Sequence, residues 1–539
     1  MRDQRPIAGI FAVICLSPLA PVPAAGQDIE LEAALHGRRL PQAYYDIVQR
    51  DPRAFSPRGG WIERAVASAE AGTAVSGDLP LLAVLTLFAD SPDPAPDDDD
   101  LRQLLFTGPA TNGTLREFYS EVSGGRLNIA GDVTPWVRTS VTLAEAVGDN
   151  FGLGGDARLG DHIVEALTDL DAGTDFGQFD NDGPDNIPNS GDDNGTVDAM
   201  AVYFLEVAAS CGGAGPWPHF FGISGWTGQP FETNDSRPGG GNVQIDPYFI
   251  QSIVACSGDE LTGIATVAHE LGHLLGLPDL YHPVDGIQPA QRRWVIGCWS
   301  LMAAGSWGCG DVSAGPAAVR PTHPGAWEKQ RLGWLDEIQE VSGSLVQVTL
   351  PLVQTSRKIL QVNIGSGERL LIENRGKIGF DRDLPASGVL VYRVNDNIPF
   401  RPGPTDPRVY RVQLLEADGD SALVKTAPEG GDRGEAGDAW GAIGHGSLTN
   451  TTEPSTRHDS GMGEESEVNL FRIAVSDGVA QVLISTERME LTRLVDFLLL
   501  NGEGDLTTEE RAFLDARNNG NGRYDVGDLR AYLQNGPGP

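Results

Sequence analysis

The chain has 539 residues, enough for roughly two to four domains, and 40% of them are hydrophobic, enough to fill real cores. Its 75 acidic residues against 39 basic ones give a net charge of -36, which would repel polyphosphate and so excludes a general nucleic-acid binder. The same excess of acid fits a secreted protein that binds calcium, or one from a saline habitat.

Residues 1–26 read as a secretory signal peptide. Arg2 and Arg5 make a basic start, an apolar run over 7–19 follows, and Pro-Val-Pro-Ala-Ala-Gly predicts cleavage near Ala25 or Gly26. The run is too short and too broken by proline to span a membrane, and no other stretch reads as a span. Cys15 falls in the removed segment, leaving Cys211, Cys256, Cys298 and Cys309. Four cysteines in an exported chain predict two disulfides with three pairings open; one of them joins Cys298 to Cys309 across a short turn and Cys211 to Cys256.

Residues 27–76 are mixed in charge and helical in pattern, an N-terminal extension or a propeptide. Residues 77–335 read as a catalytic domain. A buried strand over 79–88 comes first, then a helix running through a Gly turn into a strand over 115–129, then a second buried strand over 199–207. Alternation of helix and strand predicts an α/β core. Between these elements, residues 175–198 alternate Asp and Asn with Gly. So many carboxylates repel one another unless a cation neutralises them, which points to calcium, with Asp180, Asp182, Asp185 and Asp198 as candidate ligands.

The densest signal is His269-Glu270-Leu271-Gly272-His273, followed by Leu-Leu-Gly276-Leu-Pro-Asp279. Four residues apart on a helix, His269 and His273 project from one face and can grip one zinc ion. Glu270 sits beside the metal as general base, where it can take a proton from zinc-bound water. Gly276 can end the helix in a left-handed turn that returns Asp279 as third ligand, leaving a fourth position for water. Ser257 and Asp259 are candidate N-caps of this helix, before an apolar stripe of Leu261, Ile264, Val267, Ala268, Leu271, Leu274 and Leu275. Downstream, Met302 lies in a turn of small residues between Trp299 and Trp307; this resembles the Met turn of metzincin-type enzymes, which implies an apolar floor under the metal.

After Trp334 the texture becomes short alternating stretches separated by Gly, Pro and Asp. Residues 336–486 therefore read as a β-rich, sandwich-like domain. Residues 487–539 change again to amphipathic helices, with a run from Asn519 to Asp528 that matches positions 3, 5, 6, 9 and 12 of an EF-hand loop. Asn519, Asn521, Asp525 and Asp528 are its candidate calcium ligands. Arg517 stands where the first ligand belongs, and position 12 is Asp rather than Glu, as also occurs in dockerin modules, which this tail resembles.

Together these residues resemble the immune inhibitor A-type secreted bacterial zinc metalloproteases over roughly 79–485. The motif from His269 to Tyr281, the Phe118–Leu127 stretch, the Met302 turn and the Pro324–Trp334 segment carry the resemblance. It implies a metzincin-like α/β zincin domain, a β-sandwich-like domain and the small EF-hand-like tail. It also implies zinc on His269, His273 and Asp279, with Glu270 as general base. His282 competes for the third ligand place, but Asp279 holds the metzincin spacing. The activity implied is hydrolysis of peptide bonds in a protein or peptide substrate outside the cell. The competing reading is a calcium-dependent extracellular binding or matrix protein on an inactive protease fold.

Overall fold

The computed structural model describes residues 29, 33, 38–282, 292–309, 320–365, 367–398, 410–441, 446–458, 464–500, 502, 504–516, 518 and 520–535. The signal-peptide reading of 1–26, Arg517 and Asn519 lie outside them. Among the described residues no helix is long and apolar enough to cross a membrane.

The first strand, β1 (Gly77–Leu87), is apolar nearly throughout, so both of its faces must be covered. Its side chains alternate between two cores: Leu79, Leu81, Ala83 and Leu85 enter one, Leu82 and Val84 the other. β2 (Leu127–Val133), β3 (Val137–Arg138) and β4 (Met200–Phe204) pair with β1 in parallel. β8 (Pro247–Ser252) continues the sheet parallel to β4, and β5 (His219–Gly222) closes its edge antiparallel to β8. A separate hairpin pairs β6 (Phe231–Ser236) with β7 (Asn242–Ile245).

Helices cover both faces, which makes this part a layered mixed α/β unit. α1 (Gln42–Arg50) and α4 (Leu159–Leu170) bury Tyr44, Ile163 and Leu167 on one side. On the other side α2 (Gly60–Ala71), α3 (Leu115–Ser123) and α5 (Ala265–Leu274) bury Trp61, Ala65, Phe118, Tyr119, Val267 and Leu271. α1 and α2 fall within 27–76, so helices of that N-terminal segment share the cores of the α/β part.

α6 (Ala326–Arg331) leads into the β-rich part. There one sheet runs β14 (Val412–Leu414), β13 (Gly388–Asn395), β12 (Glu368–Arg375), β11 (Lys358–Gly365), β9 (Glu337–Glu340). A second runs β10 (Val346–Pro351), β16 (Val479–Ser485), β15 (Asn469–Ser476). Leu360, Val362, Ile372 and Val391 of the first face Leu350, Val482 and Ile484 of the second across one core. The opposite face of the five-stranded sheet, through Ile359, Leu371, Leu390 and Tyr392, joins the core that holds α5. Both parts are thereby fused through shared apolar packing, and a buried ionic network crosses the same boundary. Lys329 of α6 reaches Glu373 at 3.1 Å, and Arg375 bridges Glu373 at 3.0 Å and Asp381 at 2.6 Å.

The last helices, α7 (Leu491–Leu499), α8 (Thr508–Asp515) and α9 (Val526–Asn535), pack Leu494, Phe497, Phe513 and Tyr532 against Phe471 and Leu483 of the three-stranded sheet.

Candidate active site

All ten residues of α5 are buried. The helix begins at Ala265 after Ile264, with no side-chain cap. This corrects the expectation for Ser257 and Asp259, which sit in a turn closed by the Val254–Leu261 bridge and by Ala255 N donating to Glu260 O at 2.8 Å. The C-terminus ends in a Schellman turn: Leu277 N donates to Gly272 O (3.1 Å) and Gly276 N to His273 O (2.9 Å), with Gly276 at φ 77°. A side chain at this left-handed position would be strained.

That turn returns Asp279 to the histidine face. His269 Nε2 lies 3.1 Å and His273 Nε2 3.4 Å from Asp279 Oδ1. The other ring nitrogens are turned to acceptors: His269 Nδ1 to Leu301 O at 3.1 Å, His273 Nδ1 to Leu277 O at 2.8 Å. A carbonyl only accepts, so each Nδ1 carries a proton and each Nε2 is the nitrogen turned toward Asp279. Burial, against the pull of Asp279, holds His269 below its ordinary pKa and so neutral. Two Nε2 atoms and a carboxylate oxygen thus converge within 4.8 Å of one another, and with both rings neutral all three would be donors to a metal ion. Two imidazoles and one carboxylate, each imidazole fixed from behind by a backbone carbonyl, suit zinc. Glu270, between the histidines in sequence, is buried with them.

Met302 lies beneath this helix. A Cβ on Gly272 would come within 2.5 Å of Met302 Sδ, so only glycine lets the thioether pack this close. Met302 O accepts from Leu280 N at 2.7 Å, tying the floor to the Asp279 turn. The floor is set by a residue the sequence did not single out: Glu328 of α6. It accepts from Ser300 Oγ at 2.7 Å and from Met302 N at 3.4 Å, and burial raises its carboxyl to about 7. Tyr119, within the Phe118–Leu127 stretch but given no role by it, donates its hydroxyl to Ala268 O at 2.5 Å and braces α5 from α3. His282 does not join the three converging donors; its backbone pairs with Arg293 and its ring meets Tyr410. Tyr281 lies against Trp294 and Arg292. The disulfides Cys211–Cys256 and Cys298–Cys309 are both present, the second spanning the Met302 turn.

In the acidic loop, Asp180, Asp182 and Asp193 bring carboxylate oxygens within 4.8 Å of one another. Asp180 is 1% exposed, and its carboxylate has no well-formed hydrogen bond; the backbone N–H groups of Gly195 and Thr196 only partly offset its charge. Burial, then the charges of Asp193 and Asp182, raise it to about 7. Asp198 lies on the buried side, accepting from Asn181 N at 2.7 Å and repelling Asp182 and Asp180. Asp185 does not belong to the group. It is exposed and accepts from Ile187 N at 2.9 Å, capping its own turn, while Asp193 takes the place expected of it.

In the tail, Asp525 accepts from Gly527 N at 2.7 Å, and Asp528 accepts from Asp525 N at 2.8 Å. These bonds cap the start of α9. Asp515, not among the expected ligands, accepts from Asn521 N at 2.9 Å and Gly522 N at 2.8 Å. Among the described residues, no metal-competent group of acids forms around Asn521, Asp525 and Asp528.

Residues 102–335 match the family model described as immune inhibitor A peptidase M6, catalytic domain. Pre-pro-metalloprotease PrtV of Vibrio cholerae serotype O1 is 27% identical over 314 residues, 50% of this chain and 32% of that protein. Immune inhibitor A of Bacillus thuringiensis subsp. alesti is 27% identical over 248 residues, 42% of this chain and 34% of that protein. The chain thus spans about a third of the length of these relatives. His269, Glu270, His273 and Asp279 all lie within the segment that matches the M6 peptidase catalytic-domain model.

Proposed function

We propose that the protein is a secreted zinc-dependent endopeptidase acting on protein or peptide substrates. The observation that carries this reading is the convergence of His269 Nε2, His273 Nε2 and Asp279 Oδ1 beside Glu270, over the Met302 floor. Held by His269, His273 and Asp279, zinc would supply Lewis-acid chemistry that polarises a carbonyl and acidifies water toward neutral pH. Glu270 takes the proton of the attacking water and delivers it to the leaving amine as the peptide bond breaks. The backbone carbonyls of Leu301 and Leu277 keep both imidazoles in the tautomer that presents Nε2. The relatives named as a metalloprotease and as immune inhibitor A support the peptidase class. Two disulfides suit the oxidising compartment to which residues 1–26 would direct the chain.

Calcium is the second ion of this reading, held in the acidic loop by Asp180, Asp182 and Asp193. The buried carboxylate of Asp180, without a well-formed hydrogen bond and crowded by Asp193 and Asp182, supports it. The helical tail is read as a separate EF-hand-like or dockerin-like module with a partner of its own.

The test is casein cleavage by the mature protein, with and without a zinc chelator, beside Glu270→Gln. The variant is expected to retain zinc and lose activity roughly 10²–10⁴-fold. Wild-type turnover by a zinc-loaded Glu270→Gln protein would overturn the mechanism. No cleavage by zinc-loaded wild type would favour the calcium-dependent binding protein instead.

A further inference from the structure

The β-rich part holds a second acidic pocket that no sequence motif marks. Glu416, Asp418 and Asp420 follow β14 and bring carboxylate oxygens within 4.8 Å of one another. Gly419, at φ 75°, turns the chain between them. From the other side come Asp432, Glu435 and Asp438. Asp418 and Asp432 both repel Asp438, and Asp418, Asp420 and Asp432 repel Glu435. Lys425 answers this charge weakly: its ammonium bonds the backbone carbonyl of Asp420 at 2.5 Å.

Asp438 supplies an independent observation. It is 0% exposed. Its Oδ2 accepts from Trp299 Nε1 at 2.7 Å and from Glu435 N at 2.9 Å. Its Oδ1 is buried with no hydrogen-bond partner. Leaving a buried carboxylate oxygen unsatisfied is costly, and neighbouring acids add to that cost. Glu416 is nearly as buried. It accepts from Leu423 N at 3.1 Å and feels the Asp438 charge directly. Burial first, then these neighbours, push Glu416 up to about 9 and Asp438 up to about 7. The donor set is oxygen only, part buried and part open to solvent. That suits a hard cation of flexible coordination and disfavours zinc.

The pocket also grips the catalytic domain. Val295 N donates to Leu423 O at 2.8 Å, Cys298 N to Arg433 O at 2.6 Å, and Trp299 to Asp438. The two acid-bearing segments therefore hold residues 295–299, the stretch that runs into the Met302 turn.

We propose that Glu416, Asp418, Asp420 and Asp438 bind a calcium ion that clasps the β-rich domain to the segment carrying the Met302 turn. Bound calcium neutralises the pocket and fixes Asp438 against Trp299. The site is separate from the acidic loop at Asp180 and independent of the peptidase reading, because it needs neither zinc nor turnover.

The test uses the full oxidised chain and Asp418→Asn/Asp420→Asn, whose side chains are the more open members of the group. Calcium per chain is counted after equilibrium dialysis, beside Asp182→Asn/Asp193→Asn as a reference for the other loop. The Asp418/Asp420 variant is expected to bind one calcium fewer than wild type, and the combination of both variants two fewer. Its calcium-induced rise in Tm should shrink while its circular dichroism stays native. Should that variant misfold, Asp420→Asn alone, at an exposed position, is expected to weaken the same site at least tenfold. An unchanged calcium count and affinity in a folded variant would overturn the proposal and leave a pocket neutralised by protons.

Discussion

The two candidate metal centres of the catalytic domain are built on opposite plans. The His269–His273–Asp279 centre rests on a fully buried helix and its Schellman turn, with Glu328 and Tyr119 bracing the elements around it. The Asp180–Asp182–Asp193 centre is a loop held largely by its own polar groups. Asp193 accepts from Gly183 N at 2.6 Å and Ser190 N at 2.7 Å, and Asp182 accepts from Asn194 N at 3.1 Å. Arg64 of α2 steadies it by donating to Gly183 O at 2.8 Å. Packing that serves the core holds the elements of the first centre in place, and a cation would bear only on its three converging donors. In the second, the groups that shape the loop are the groups a cation would neutralise, so binding and local folding are coupled. Removing a ligand from the first should abolish metal and activity but spare the fold, whereas removing a ligand from the second should show chiefly in stability.

The largest expected effect is that of His269→Ala. The variant should retain less than about a tenth of the wild-type zinc and no measurable peptidase activity, with its circular dichroism unchanged. Zinc content by atomic emission checks this. Global unfolding of the variant would show that the histidine centre, like the loop, holds up its surroundings.

Acid sharpens the contrast through a histidine that belongs to neither centre. His162 is buried in α4 against Phe88, with Nδ1 2.7 Å from Thr139 Oγ1, and burial lowers its pKa to about 3. The folded state therefore keeps it neutral while the unfolded chain protonates it near 6.5. Its contribution to stability is fully present above pH 6.5 and is lost as pH falls toward 3. The loss is roughly 3–5 kcal/mol. His162→Gln should flatten the acid limb of Tm against pH without changing zinc content. An unchanged limb would assign acid lability to other groups.

Gly272→Ala acts on the floor alone. Its new methyl would meet Met302 Sδ at 2.5 Å, and displacing the thioether should cost about 1–3 kcal/mol. Adding Met302→Ala to this variant should restore part of that loss. If Gly272→Ala unfolds at the wild-type temperature, the helix and the turn are less tightly apposed than this contact indicates.

How far these features could be read in the sequence follows from the same contrast. The spacing of His269, Glu270 and His273 becomes geometry through one helix, and Gly276 carries Asp279 back within six residues of His273, so local rules suffice. The start of the helix escaped them. Ser257 and Asp259 look like caps, but the Val254–Leu261 bridge delays the helix until Ala265. Glu328 and Tyr119 act across long separations, and no residue pattern announces a carboxylate that will meet Ser300. The pocket of Glu416 and Asp438 is likewise closed by tertiary packing. In the tail, Asp525 and Asp528 suit a calcium loop and a helix cap equally well by residue type, and the backbone uses them as caps.

The acidic loop gives the finest test, because it separates two aspartates eight residues apart. Asp185 was the natural choice by its place among Asp180 and Asp182, yet it is exposed and spends its carboxylate on Ile187 N. Asp193 instead folds back onto the pair because Gly183 N and Ser190 N both donate to it. With free calcium about tenfold above its dissociation constant, binding contributes about 1.4 kcal/mol to stability. Asp193→Asn should lose that calcium-dependent increment, while Asp185→Asn should keep it within a few tenths of a kcal/mol. Paired thermal melts with calcium and with chelator measure both. The opposite ranking would mean that the loop rearranges on binding and that Asp185 swings in to replace Asp193, making it a loop shaped by its ion rather than by its backbone.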